Sequence, residues 1–169
     1  PITEVCADLK TFVNGRQLDD DGSDLLHFES GATGIVWASQ VAIGEDLALR
    51  ARFYCEFGSV EWTQAKPYGL VIHRLNKPTE VLDETPDDLR PLVRKECSRK
   101  PPEGVIESFS AIYSAYADAL LARKNGKDVD LAEAPFPKPE DGIRGVAFLE
   151  AVVESSRSKD KWTEVHVKG

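Results

Sequence analysis

Apolar residues alternate along the first half of this sequence and recur every three or four positions along the second half. That switch of period limits the fold more than any other feature, because period two makes strands and a period near 3.6 makes helices. Up to about Asp83 the chain reads as strands and turns. Residues 3–13, 24–30, 35–42, 47–56, 60–64, 70–75 and 80–82 are the strand segments. The clearest alternation lies in 47–56. Leu49, Ala51, Phe53 and Cys55 share one side there, and Arg50, Arg52, Tyr54 and Glu56 share the other. Ile35 to Ala42 is apolar on both faces, which predicts a central strand. Asn76-Lys77-Pro78 reads as a hairpin loop. Strands joined this tightly pair antiparallel.

From about Asp87 onward helices dominate. Pro86 opens a short helix running to about Cys97, since proline suits a first helical turn. Glu103 to Lys124 carries a stripe of Val105, Ile106, Phe109, Ile112, Tyr113, Tyr116, Leu120 and Leu121, and Lys124-Asn125-Gly126 closes it. The span from Pro139 to Ser156 is apolar nearly all round, which predicts deep burial. Trp162 to Val167 reads as a last strand. Strands first and helices after predict an α+β fold: a large, mostly antiparallel, open-faced sheet with helices packed on one face. The open face would carry Arg50, Arg52 and Tyr54, with either Trp37 or Gln40 and either Trp62 or Glu61 according to register. Aromatic and guanidinium groups together favour a protein interface, so these three residues are the interface candidates.

Length and charge exclude several functions. The 169 residues suffice for one domain with a real core. A net charge of −8 offers no basic footprint for nucleic acid and would be repelled by an anionic membrane. Cys6, Cys55 and Cys97 are widely spaced and form no CxxC pair, so free thiols in a reducing cytoplasm are expected. No signal peptide opens the chain, and Pro1 to Val5 enters a strand at once, which leads us to expect a fragment of something longer.

Motifs of nucleotide and hydrolytic chemistry are missing from the sequence: no GxGxxG, P-loop, GxSxG or HExxH occurs. His27, His73 and His166 sit singly in strand segments without metal-ligand spacing. Asp19-Asp20-Asp21 reads as a solvated loop. Lys100-Pro101-Pro102-Glu103 is more informative, since it leads into the long helix, whose free amides and positive dipole end suit a hydroxyl or phosphate group. Lys100 and Glu103 are therefore the substrate-side candidates.

Four segments, in order and spacing, carry a family resemblance. Phe57-Gly58-Ser59-Val60-Glu61-Trp62 looks like a G-x-x-G-S-L-E-W element, and the run from Lys100 to Phe109 looks like G-H-P-E-G-Y-x-E-A-F. Phe136 to Gly145 looks like F-P-x-x-x-D-G-x-R-G, and Ser155-Ser156 followed by Trp162 matches the usual ending. Together they resemble the carboxy-terminal domain of Gfo/Idh/MocA oxidoreductases from about Ala7 to Val167. The sequence departs from the pattern at Pro101, where the family often has histidine, and at Val105, where it often has tyrosine.

The resemblance implies that residues 1–169 form a single carboxy-terminal substrate and oligomerisation domain, without a Rossmann domain. NAD or NADP would serve the full-length protein and bind outside this chain, where the catalytic lysine and histidine would also lie, so no catalytic, cofactor-binding or metal residue is expected here. The expected substrate is a sugar, inositol or related polyol, and the expected partner is a second copy meeting the open sheet face. A stand-alone binding or interaction module on the same sheet is the alternative. A hydrolase using Glu103 and Asp141 is disfavoured, since no nucleophile or paired base accompanies them.

Overall fold

The computed structural model describes residues 1–45, 48–83, 105–131 and 133–167. These fall into two compact units, Pro1–Gly44 with Pro137–Gly169 and Glu45–Phe136. The predicted short helix from Pro86 to Cys97 lies outside the described residues. The fold is α+β, with two antiparallel sheets and two helices among the described residues.

The first unit holds β1 (Ile2–Lys10), β2 (Asp21–Phe28), β3 (Thr33–Ser39), α2 (Pro139–Arg157) and β8 (Thr163–Glu164). Its sheet runs β3-β2-β1-β8. The register sets Val5 opposite Leu26, and Ala7 opposite Asp24, on one face. Helix α2 packs there, and Val5, Leu26, Ala151 and Val152 form the buried core, flanked by Leu9, Phe28, Phe148 and Val165. The other face carries Glu4, Cys6, Leu25, His27, Ile35 and Trp37.

Two expectations change here. The segment around Ile35 is an edge strand, not a central one, and Ile35 and Trp37 stay 78% and 59% exposed. Apolarity on both faces marked a strand whose outer face is uncovered. Helix α2 is buried on one side only: Ala147, Ala151, Val152 and Ser155 face the sheet, while Ile143, Val146 and Leu149 remain exposed.

β8 pairs with β1 over only two residues, so among the described residues most of that edge of β1 is left without a strand. Helix α2 finishes it. Ser155 Oγ accepts a hydrogen bond from the Ala7 amide at 3.0 Å and donates to the Val5 carbonyl at 3.3 Å. Ser156 Oγ accepts from the Leu9 amide at 3.0 Å. Two hydroxyls thus satisfy edge groups that would otherwise be buried unpaired or left open to another chain.

The second unit holds β4 (Arg50–Cys55), β5 (Gly58–Thr63), β6 (Lys66–Arg74), β7 (Glu80–Asp83) and α1 (Val105–Lys124), with sheet order β4-β5-β6-β7. Gly58 opens β5 where the His73 carbonyl lies too close for any Cβ, so glycine is required there. Asn76 takes φ of 59° to turn β6 into β7. Gly126, at φ 75°, ends α1: its amide bonds to the Arg123 carbonyl and the Lys127 amide to that of Ala122, a Schellman closure. Most of the stripe on α1 stays exposed, and Tyr116 meets Phe136 edge-on at 5.5 Å between ring centroids. Among the described residues no helix is long and apolar enough to cross a membrane.

Replacing Ser155 with alanine should lower the stability of the chain by about 1–3 kcal/mol, because the Ala7 amide loses its partner in a buried place. Chemical denaturation measures this. A loss near zero would show that the hydroxyl does not complete the edge.

Candidate functional site

β4 is an edge strand of its sheet, and Arg50, Arg52 and Tyr54 alternate along it on one face, opposite Thr63, Glu61 and Ser59 of β5. Val71 and His73 on β6, and Val81 on β7, continue that face. The register settles one of the two open choices: Glu61 shares the face with Arg52, while Trp62 lies on the other face and donates to the Pro67 carbonyl at 2.9 Å. Trp37 belongs to the first unit, where its Nε1 donates to Asp21 Oδ1 at 3.1 Å.

Both arginines on this face have carboxylate partners. Arg52 Nε stands 2.8 Å from Glu61 Oε2, and Arg50 reaches Glu45 at 3.2 Å. The hydrogen bond that Arg52 donates to Glu61, and then the charge of Glu61, hold the Arg52 guanidinium even more firmly protonated than usual. These exposed pairs add little stability, since solvent screens them. They do remove the positive field, so the face does not present a bare anion-binding patch. Tyr54 at 78% and Val81 at 67% exposure give it apolar reach. Paired guanidinium, tyrosine and valine together suit a protein surface.

The substrate-side candidates Lys100 and Glu103 lie outside the described residues, as does Cys97. His73 Nδ1 is 3.0 Å from Thr79 Oγ1, His27 Nδ1 is 3.0 Å from Glu4 Oε2, and His166 lies 3.4 Å from Glu164. Among the described residues no group of three histidine, cysteine or acidic side chains is placed to hold a metal ion. Asp141 caps α2, accepting from the Lys138 amide at 2.9 Å, with Arg144 at 3.4 Å from its other oxygen.

Two buried aspartates escaped the sequence reading. Asp20, in the acidic run taken for a solvated loop, is buried and organises the β1–β2 connection. It accepts from the Phe12 and Val13 amides at 2.7 and 3.0 Å and pairs with Arg16 at 3.3 Å. The Phe12 hydrogen bond is the chief cause that holds its carboxyl below the usual range, with Val13 and Arg16 adding to it against the effect of burial. Asp24 is the reverse case. It is buried on the α2 side of its sheet, and its Oδ1 finds no hydrogen-bond partner among the described residues. Burial, and then the charge of Asp19, push its carboxyl upward. Neither position shows in a linear pattern, since each depends on what folds around it.

The described residues define an antiparallel α+β domain. Residues 1–61 match the family model described as the GFO/IDH/MocA C-terminal domain. The chain is 28% identical over 170 residues to the uncharacterized oxidoreductase YfiI of Bacillus subtilis (strain 168), covering 96% of this chain and 42% of that protein. A crystal structure of an oxidoreductase from Sinorhizobium meliloti superposes with a TM-score of 0.77 at 36% identity, over 95% of this chain and 46% of that one. An inositol dehydrogenase homolog from Azotobacter vinelandii, complexed with NADH and myo-inositol, gives a TM-score of 0.79 at 28% identity, over 96% of this chain and 44% of that one. The chain belongs to the Gfo/Idh/MocA oxidoreductase family, in its carboxy-terminal domain. It spans less than half the length of each of these relatives.

Asp24, whose Oδ1 has no hydrogen-bond partner among the described residues, has a measurable signature. Because its folded-state carboxyl keeps a proton to higher pH than in the unfolded chain, ionising it at neutral pH works against folding. That penalty is relieved as pH falls through the raised folded-state value. Asp24→Asn should therefore be more stable than the parent at about pH 7, with the difference shrinking towards about pH 3. Thermal unfolding across that range tests it, and a variant less stable at neutral pH would overturn the assignment.

Proposed function

We propose that this chain is the substrate-side and assembly domain of an NAD(P)-dependent dehydrogenase acting on a sugar, inositol or related polyol. The observation that supports this most strongly is the fit of nearly the whole chain to under half of an inositol dehydrogenase homolog holding NADH and myo-inositol. The described residues do not themselves fit a dinucleotide. Every strand pairing among them is antiparallel, whereas a dinucleotide cradle needs a parallel strand–turn–helix unit with a glycine-rich turn. The cofactor, which supplies hydride transfer, is assigned to the remaining length that the relatives carry, and the catalytic groups with it. Residues 1–169 act as one functional domain in this reading. Free Cys6 and Cys55 are compatible with a reducing cytoplasm.

Within this reading the chain has two tasks. Lys100 and Glu103, ahead of the long helix, lie on the substrate side, where an ammonium and free helix amides suit hydroxyl groups. Arg50, Arg52 and Tyr54 lie where a second copy of the chain docks. A face of neutralised arginines and exposed tyrosine gives orientation without the cost of bringing unpaired charge out of water.

The complete protein should reduce NAD or NADP when given a polyol such as myo-inositol. Lys100→Ala in it should lower kcat/KM by roughly tenfold, the effect of one charge-assisted hydrogen bond, with stability changed by no more than about 0.5 kcal/mol. Absence of polyol-dependent reduction across inositols and common sugars would sink the proposed reaction. Unchanged kinetics in the variant would remove Lys100 from the site.

Assembly is tested separately. Sedimentation of the 169-residue chain should show a dimer or larger. Arg52→Glu sets a carboxylate directly opposite Glu61 and should shift the chain towards monomer, with its circular dichroism retained. A parent chain that stays monomeric at high micromolar concentration would rule out this interface.

A further inference from the structure

Three asparagines occur in the chain, and two of them, Asn14 and Asn125, are followed by glycine. That pairing has a chemistry of its own. The side-chain amide of an asparagine is open to attack by the backbone nitrogen of the next residue, and glycine, with no Cβ, leaves the approach unobstructed. Asn76 is followed by Lys77, whose side chain crowds the same approach. The two Asn-Gly pairs therefore share one local reactivity, and the structure around each decides what becomes of it.

Both pairs are exposed, and both glycines hold positive φ, 88° at Gly15 and 75° at Gly126. The two attacking nitrogens differ in what they are bonded to. The Gly126 amide donates to the Arg123 carbonyl at 2.9 Å, and the Lys127 amide beyond it donates to the Ala122 carbonyl at 3.0 Å. Asn125 is itself still tied into the last turn of α1, its amide 3.0 Å from the Leu121 carbonyl. That closure holds the pair from both sides, so attack requires the helix end to open first. Asn14-Gly15 lies instead in the β1–β2 connection, where the Arg16 amide bonds across a tight turn to the Val13 carbonyl at 3.3 Å. Among the described residues the Gly15 amide donates to no acceptor, so its nitrogen faces solvent uncommitted.

We propose that Asn14 is a site of spontaneous deamidation in the folded chain, and that the helix closure at Gly126 protects Asn125 from the same reaction. The Gly15 nitrogen gives up its proton to water and attacks Asn14 Cγ. A C–N bond forms, the side-chain nitrogen leaves as ammonia, and a five-membered succinimide results. Water then opens the ring at either carbonyl. One opening leaves aspartate. The other leaves isoaspartate, in which the backbone runs through the side chain and gains a methylene. The sum is an amide and water converted to a carboxylate and ammonium, with no oxidant or reductant involved.

The position of Asn14 gives the modification a structural consequence. It directly follows Phe12 and Val13, whose amides are held by the buried carboxylate of Asp20 at 2.7 and 3.0 Å. It precedes Arg16, which pairs with the same carboxylate at 3.3 Å. Isoaspartate lengthens the chain inside the four-residue turn that Val13 and Arg16 close, so the turn cannot keep its present hydrogen bond and geometry together. Either product also adds a negative charge two residues from Arg16, in a connection that already carries Asp19, Asp20 and Asp21. The loop that Asp20 organises is therefore the part of the first unit that this reaction alters.

The chain contains its own controls. Incubating the 169-residue chain in neutral buffer and mapping its peptides by mass spectrometry follows all three asparagines at once. In the folded chain Asn14 should convert at least about tenfold faster than Asn125, because only the latter must wait for local opening. Asn76 should be slower than Asn14. In guanidinium chloride the difference between the two Asn-Gly pairs should collapse to within about twofold, since the unfolded chain keeps little of the helix closure. Asn14→Gln lengthens the side chain beyond easy ring closure and should remove the fast phase, leaving Asn125 unchanged. Equal rates at Asn14 and Asn125 in the folded chain, a fast phase that survives Asn14→Gln, or a difference that persists undiminished in denaturant would overturn the proposal.

Discussion

The first unit depends on how the edge of β1 is finished. A buried strand cannot leave its amides and carbonyls unpaired, because each lost hydrogen bond carries the full cost of desolvation. Here β8 covers two residues of that edge, and the hydroxyls of Ser155 and Ser156 complete it. The placement of α2 follows from this need. Serine hydroxyls can reach strand groups only when that end of the helix lies close against β1, and that position brings Ala151 and Val152 onto Val5 and Leu26. Polar satisfaction and apolar packing thus fix the same docking geometry.

Much of this was legible in the sequence. Alternation located most of the strands within a few residues, and the three-and-four spacing located both described helices. The side of β4 bearing Arg50, Arg52 and Tyr54 followed from parity alone. What failed was the reading of two-sided apolarity. Ile35 and Trp37 on β3, and Ile143 and Leu149 on α2, look like residues buried all round, yet each element has only one face covered. A pattern of side chains records which surfaces are apolar. It does not record whether a neighbouring element is there to cover them.

The buried aspartates were hidden for a related reason. Asp20 and Asp24 lie four residues apart in a stretch that reads as acidic and soluble, and they meet opposite environments. Asp20 gathers two amides and a guanidinium, so its charge is welcome. Asp24 is turned toward the packed side of the sheet without a described donor for Oδ1, so its charge is not. The candidate interface shows the same limit. Sequence placed the arginines on one face, but only the register revealed that Glu61 stands opposite Arg52 and neutralises it.

The serine bridge also has a consequence for the order in which the chain can fold. It joins Ala7 to Ser155 and Leu9 to Ser156, separations of 148 and 147 residues, and the second unit lies wholly between those partners. A chain emerging amino end first exposes β1, β2 and β3 long before α2 and β8 exist to cover them. Closing so wide a loop is slow, because its entropy is lost before the contacts repay it. The second unit, whose strands pair with near neighbours, is contiguous and can form first. β1, β2 and β3 are thus made before the second unit but secured after it, and their uncovered edge and apolar face must stay clear of other chains until α2 and β8 have been made.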